Sequence, residues 1–312
     1  MHILFLFVDG IGLGEDADDN PFATLHLGGF ERLSGGQAWL KRAATIKEET
    51  RLFTGIDPRL DVEGLPQSGT GQATLFTGIN CAKLAGRHYG PYPHSKTRPV
   101  IAEHNIFRRI ERLFPGEGEP AAFANAYPDR FFDYVKRTDR WTVTTRCCLE
   151  SNVRIRSNKD LAEGLAVPAD LTGYGWPERF AQEHMPADEN EAAERLLRIA
   201  AMHRFTLFEY FLTDKAGHRQ RPDEAAAVLA SLDRLLDAFA TRLDTDETLL
   251  VLTSDHGNLE DLSTKTHTMN DVPFAAYGRG AIRLAGVRRL EEVTPAILEL
   301  LRSESSQSPS TG

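Results

Sequence analysis

Residues 248–258 read Thr-Leu-Leu-Val-Leu-Thr-Ser-Asp-His-Gly-Asn, and the rest of the chain is read outward from them. The run 248–253 is apolar and short, which predicts a buried strand. It delivers two adjacent polar side chains, Asp255 and His256, and Gly257-Asn258 then turns the chain away. Neighbours on a strand point to opposite faces, so both can serve one site only where the strand ends and the backbone bends. An Asp and a His offered together suit an intermediate metal such as zinc or manganese. A third candidate ligand, His267, follows eleven residues after His256.

The chain has 312 residues, 41% of them hydrophobic, enough for one large domain with an insertion or for two domains. Its formal charge of −9 argues against a nucleic-acid surface. The start, His2-Ile3-Leu4-Phe5-Leu6-Phe7-Val8-Asp9, lacks a basic leader and reads as a first buried strand. No stretch approaches the roughly 18–20 apolar residues of a membrane span. Cys81, Cys147 and Cys148 have no zinc-like spacing and fit a reducing, cytoplasmic setting.

From 188 onward the texture is a regular alternation. Asp188 caps a helix over 189–203, 206–212 is a strand, Pro222 opens a helix over 223–243, and strands follow at 248–253 and 272–277 before a last helix at 290–302. Residues 86–187 are richer in Arg, Pro and aromatics, with a helix expected at 99–113 and a strand at 121–126. The expectation is an α/β fold with a mostly parallel sheet covered by helices on both faces. Residues 1–85 and 188–302 would form the core, 86–187 an inserted smaller α+β cap domain, and 303–312 a disordered tail.

Such sheets bind ligands beyond the carboxyl ends of their strands. Asp9 follows the first strand, Asp214 and His218 follow 206–212, and Asp255 and His256 follow 248–253. One Asp after a strand is usually a turn former, but three strand ends that all supply metal-type ligands point to a site. Ser68 lies in the Gly-rich loop 64–72, just before a helix expected at Ala73–Phe76. A helix N-terminus favours an anion, and a nearby divalent ion makes a serine nucleophilic. Two such ions roughly 3.5–4 Å apart are the usual arrangement for in-line phosphoryl transfer. The early Gly10-Ile11-Gly12-Leu13-Gly14 lacks the third glycine of a dinucleotide loop and follows a ligand Asp.

Asp9, the Ser68 loop, Asp214-x-x-x-His218, Ser254-Asp255-His256-Gly257-Asn258 and Thr266-His267-Thr268-Met269-Asn270 together resemble the alkaline phosphatase superfamily. The likeness is to the metalloenzyme domain shared by cofactor-independent phosphoglycerate mutase and phosphopentomutase, and it covers the first and last thirds of the chain. It implies two divalent ions, Mn2+ or Zn2+. One would be held by Asp214, His218 and His267, the other by Asp9, Ser68, Asp255 and His256. It also implies that Ser68 is the nucleophile and becomes transiently phosphorylated. Thr70 is the rival, but only Ser68 has the family's glycines, Gly71 and Gly78, at the right offsets.

The chain departs from that pattern in two places. Gln72 stands where the mutases carry a His, and it can hydrogen-bond phosphate without acting as acid or base. The arginine-rich signature of the phosphoglycerate cap is missing from a much shorter segment. Arg87 and Arg146 are the candidate phosphate contacts there, Arg146 from a β-prone stretch, although most such arginines are solvated surface charges. The expected partner is a small phosphorylated metabolite, with neither nucleic acid nor membrane. The expected reaction is phosphomonoester hydrolysis, with phosphomutase activity as the alternative. A sulfatase reading lacks its Cys/Ser-x-Pro-x-Arg motif. A non-catalytic metal-binding domain is the reading from a different class, and it predicts bound metal without turnover.

Overall fold

Alternate residues of the first strand feed two different cores. Ile3, Phe5 and Phe7 join Phe76, Phe107, Cys147 and Leu298 on one face of the sheet. Leu4, Leu6 and Val8 join Phe30, Leu196, Leu232 and Phe239 on the other. A strand buried on both faces must be apolar without alternation, and the sequence of this one is. The computed structural model describes residues 1–177 and 183–307. Among them the strands are β1 (His2–Val8), β2 (Ile46–Lys47), β3 (Arg51–Ile56), β4 (Ala121–Phe123), β5 (Asn125–Ala126), β6 (Val167–Pro168), β7 (Phe205–Tyr210), β8 (Thr248–Thr253) and β9 (Val272–Tyr277).

Seven of these make one sheet in the order β2-β3-β9-β8-β1-β7-β4, and β5 and β6 make a small second one. The run β8-β1-β7-β4 is parallel. The wing β8-β9-β3-β2 is antiparallel. Helices cover both faces, so the expected α/β class with its parallel centre is what the chain forms. The order also sets the site. β8, β1 and β7 are consecutive, so their carboxyl ends lie side by side. β9 runs back beside β8, which keeps residues 254–271 at that same edge. β3 is antiparallel to β9 and therefore also ends there, leading into the helix Ser68–Thr77.

Phe76 of that helix packs edge-on against Phe5 and Phe7, with ring centroids 6.4 and 5.4 Å apart. Removing a buried Phe costs about 3–5 kcal/mol, so these contacts anchor Ser68 firmly relative to the end of β1. The second half follows its sequence closely. Asp188 accepts from the Glu191 N–H to cap the helix Glu189–Ala201, and Pro222 opens the helix Pro222–Arg242.

The middle segment differs from expectation in three ways. The helix expected at 99–113 is two, Arg98–His104 and Ile106–Leu113, because Asn105 breaks the first and its side chain caps the second through the Arg108 N–H. The strand expected at 121–126 divides: β4 joins the main sheet beside β7, and β5 pairs with β6. Arg146 lies on a helix, Val143–Glu150, opened by the Thr142 side chain, rather than on a strand. Ile101, Phe107, Phe123 and Cys147 enter the main core, so much of 86–187 is woven into the fold around the sheet. Among the described residues, Ala124, Val167 and Leu171 join the core on the other face, and a small satellite of Ala126, Leu161, Ala166 and Trp176 packs separately.

The final helix runs Val293–Gln307, past the expected start of a tail at 303, and Arg279 and Arg283 both pair with Glu304. Residues 308–312 lie outside the described residues. All three cysteines are buried free thiols. Among the described residues no helix is long and apolar enough to cross a membrane.

Candidate metal centre

Three strand ends and one loop bring the six candidate ligand side chains together. Asp9 ends β1, Asp255 and His256 end β8, Asp214 and His218 sit on the helix Leu212–Arg219 just after β7, and His267 comes from the loop before β9. Asp214 and His218 are one helical turn apart, which puts both on one face. Asp214, His218 and His267 form one cluster able to hold an ion, and Asp9, Asp214 and His256 form another.

Hydrogen bonding sets the aim of the imidazoles. His267 Nδ1 donates to the Pro66 carbonyl at 2.6 Å, and His218 Nδ1 donates to the Lys265 carbonyl at 2.8 Å. A carbonyl only accepts, so each proton must be on Nδ1, and in a neutral ring Nε2 is then a bare lone pair. Those two Nε2 atoms face each other at 3.2 Å. Asp214 oxygens lie 3.4 Å from the His218 Nε2 and 3.6 Å from the His267 Nε2. Two imidazole lone pairs facing each other beside a carboxylate suit a cation.

In the second cluster Asp9 and His256 are buried and Asp214 is half-buried. His256 Nε2 lies 3.4 Å from Asp9 Oδ1, 3.5 Å from Asp255 Oδ2 and 2.9 Å from Ser68 Oγ. Asp9 Oδ1 and both oxygens of Asp255 have no hydrogen bond of ordinary geometry. Buried carboxylate oxygens without donors are costly, and a divalent ion is the natural partner. Burial, then the neighbouring Asp255 and Asp214, pushes the Asp9 carboxyl well above its usual range. Burial, then Asp214, does the same to Asp255. Burial, then His267, holds the His256 imidazole well below its usual range, hence neutral and fit to ligate. His267 is lowered too, chiefly by burial.

Ser68 opens the helix Ser68–Thr77, and its hydroxyl meets the second cluster. Thr70 does not. Its hydroxyl is buried, accepts from the Tyr89 N–H at 3.1 Å and contacts the Gln67 and Tyr89 carbonyls. Gln72 is close by, but its amide donates to Asp9 Oδ2 at 3.2 Å, so it orients a ligand in addition to any contact with phosphate. Arg146 is not aimed into the cluster: it pairs with Asp139 at 3.0 Å and Glu150 at 3.7 Å. Arg87 is exposed, with its guanidinium 5.5 Å from the centre of the Tyr89 ring.

Sequence reasoning missed the group that fixes the loops. Glu260 is buried and accepts from the N–H groups of Gly12 and Asn258, both at 2.8 Å, from the Thr268 hydroxyl, and from the Asn270 amide at 3.1 Å. It ties the loop after β1 to the loop that carries Asp255, His256 and His267. Gly12 is glycine for this reason, since a Cβ there would lie 2.2 Å from a Glu260 oxygen, and at Gly257 2.1 Å. The early glycines thus serve close packing, and the dinucleotide reading has no place. An acidic residue in Asn-Leu-Glu-Asp looks solvated, and the one available signal was its place between two ligand-bearing motifs.

Residues 181–305 match the family model described as the Metalloenzyme superfamily, and they include five of the six candidate ligands. The chain is 30% identical over 232 residues to a phosphopentomutase from Chromohalobacter salexigens, a match covering 72% of this chain and 52% of that protein. It is 24% identical over 315 residues to a 2,3-bisphosphoglycerate-independent phosphoglycerate mutase from Pyrococcus abyssi, covering 91% of this chain and 72% of that one. The chain therefore spans about half the length of the first relative and under three quarters of the second. The alkaline phosphatase from the Antarctic bacterium TAB5 shares the fold, with a TM-score of 0.51 at 13% identity over 97% of this chain and 98% of that one. The stretch 181–305 thus carries the Metalloenzyme superfamily match, the chain is similar in sequence to a phosphopentomutase and a phosphoglycerate mutase, and its fold is similar to that of an alkaline phosphatase.

Proposed function

We propose that this chain hydrolyses a small phosphomonoester through a phosphoserine on Ser68, with two divalent ions bound by the clusters described above. Asp214, His218 and His267 would hold one ion, and Asp9, Ser68, Asp255 and His256 the other, with manganese or zinc suited to the mixed Asp and His donors. Bound ions of this kind supply positive charge that lowers the serine pKa and stabilises phosphoryl oxygens. The observation that carries the reading is the Ser68 hydroxyl, 2.9 Å from His256 Nε2 and beside carboxylate oxygens that lack donors.

The chain's own groups do the following. The Ser68 hydroxyl gives up its proton to solvent, and its Oγ–P bond forms as the ester P–O bond breaks in line. The alcohol leaves with a proton from solvent. Water then cleaves the Oγ–P bond and releases phosphate. The helix dipole at Ser68 favours the anion throughout. Return of the phosphoryl group to another hydroxyl of the substrate is the second reading, and the names of the relatives favour it.

A panel of phosphorylated metabolites, run with zinc and with manganese and scored separately for free phosphate and for isomerised product, decides between the two. Ser68→Ala should abolish turnover while the ion held by Asp214, His218 and His267 stays bound. Thr70→Val should remain active and lose about 1–3 kcal/mol of stability with its buried hydrogen bonds. Full activity in Ser68→Ala removes the nucleophile assignment. A metal-loaded protein inert toward the whole panel removes catalysis.

A further inference from the structure

Beside Asp214 the chain builds a cavity of about 200 Å³, walled by Tyr127, Tyr174, Trp176 and Phe211, with Arg130 and Lys215 at its lining. Phe211 caps the helix Leu212–Arg219 and Lys215 lies on it, so the cavity and the first metal cluster share that helix. Its other walls come from the middle segment. Asp170 accepts the N–H groups of Gly173 and Gly175, both at 2.8 Å, and so pins the loop that presents Tyr174 and Trp176. The Trp176 indole N–H is fixed by Asn158 at 3.0 Å, and the Tyr127 ring is stacked on Phe131 with centroids 4.1 Å apart. Tyr174 is 74% exposed, a large ring held in solvent at the rim. The Lys215 ammonium sits 4.2 Å from the centre of the Phe211 ring and feels the charges of both Asp170 and Asp214.

We infer that this cavity seats a planar aromatic ring on the leaving-group side of the substrate. The inference rests on the phosphotransfer reading above and names the substrate class for it. Four preset aromatic walls reward flat apolar surface, which a three-carbon acid or a bare pentose does not offer. The volume lies below the roughly 300–1,000 Å³ of sites for drug-sized ligands, so it takes one ring system. The two cations give the cavity a polarity. They attract the phosphate-bearing end, and the apolar walls take the other. An aryl phosphate and a nucleoside monophosphate share this chemistry.

The test compares phenyl phosphate and adenosine 5′-monophosphate with glycerol 1-phosphate and ribose 5-phosphate on the metal-loaded protein. At least one ring substrate should show kcat/KM about tenfold or more above the ringless ones, and which of the two it is separates aryl from nucleobase. Tyr174→Ala, at an exposed position, should raise KM for that ring substrate several-fold more than for glycerol 1-phosphate. Equal preference, or equal effects of Tyr174→Ala on both classes, overturns the inference.

A binding arm keeps the inference apart from the catalytic reading. Phenylphosphonate should quench Trp176 fluorescence, with Trp176→Phe as control, and bind about tenfold more tightly than methylphosphonate. That result supports the cavity even without turnover of any ester, whereas equal or absent binding overturns it.

Discussion

Asn258 Nδ2 donates to Asp214 Oδ1 at 2.7 Å, and also to the Asp214 main-chain carbonyl at 3.1 Å. One amide thus clamps the carboxylate that belongs to both metal clusters. It approaches so closely that a Cβ on Gly217 would lie 2.5 Å from Asn258 Oδ1. Groups that orient a ligand typically account for 10–100-fold in metal affinity. Asn258→Ala should therefore weaken metal binding by that factor while the fold survives, as read by competition with a chelator and by circular dichroism.

Since Asp214 is common to both clusters, the ligands should separate by stoichiometry. His218→Ala and His267→Ala should each lose the ion held with Asp214. Asp255→Asn should lose the ion beside Ser68. Asp214→Ala should weaken both. Elemental analysis of protein dialysed against limiting metal reads this directly, and loss of the same ion in all four variants refutes the two-site arrangement.

Glu260 has no contact with the ligating atoms of either cluster, yet four donors depend on it. Glu260→Ala strands them in the interior. Each unsatisfied buried donor costs about 1–3 kcal/mol, so the loss should be at least about 3 kcal/mol in urea unfolding. Glu260→Gln keeps the shape, and its side-chain NH2 meets donors where one carboxylate oxygen was, so it should fall between. A variant as stable as wild type contradicts the hub role.

Glu209 gives a pH prediction outside the metal ligands. It sits on β7, buried, with Oε2 unpartnered, and burial pushes its carboxyl up from 4.5 to about 7. A folded-state value above the unfolded one means a stability contribution that is full below pH 4.5 and lost as pH rises through 7. That amounts to about 3 kcal/mol. Glu209→Gln has no such titration. With chelator present in both arms, wild type should lose up to about 3 kcal/mol more than the variant between pH 4.5 and 8. Parallel pH profiles for the two proteins would falsify this.

What the sequence disclosed depended on how local the signal was. β8 and β9 were legible to the residue, because short apolar runs bounded by turn residues admit few other readings. The ligand-bearing motifs were legible because each lies just beyond such a run. The break at Asn105 went unseen because apolar periodicity continues across it, and the cap becomes visible only once the side chain is placed. Arg146 was misplaced because Trp-Thr-Val-Thr-Thr has strand propensity, while the Thr142 cap and the packing of Val143 and Cys147 into the core make it helical. Glu260 and the carbonyls of Pro66 and Lys265 act through contacts far apart in sequence or through the backbone, and residue type does not record either.

The order of the central strands has a bearing on how the chain comes into being. β1 pairs with β7 and β8 only, so Ile3 waits for Phe205 on one side and Leu249 on the other. During synthesis the first strand leaves the ribosome with both of its edges open and both of its faces apolar, long before either neighbour exists. Contacts this distant slow folding and leave strand edges exposed to wrong partners. A nascent chain halted before residue 205 carries Asp9 and Ser68 without either strand that flanks β1, and leaves both edges of that strand open.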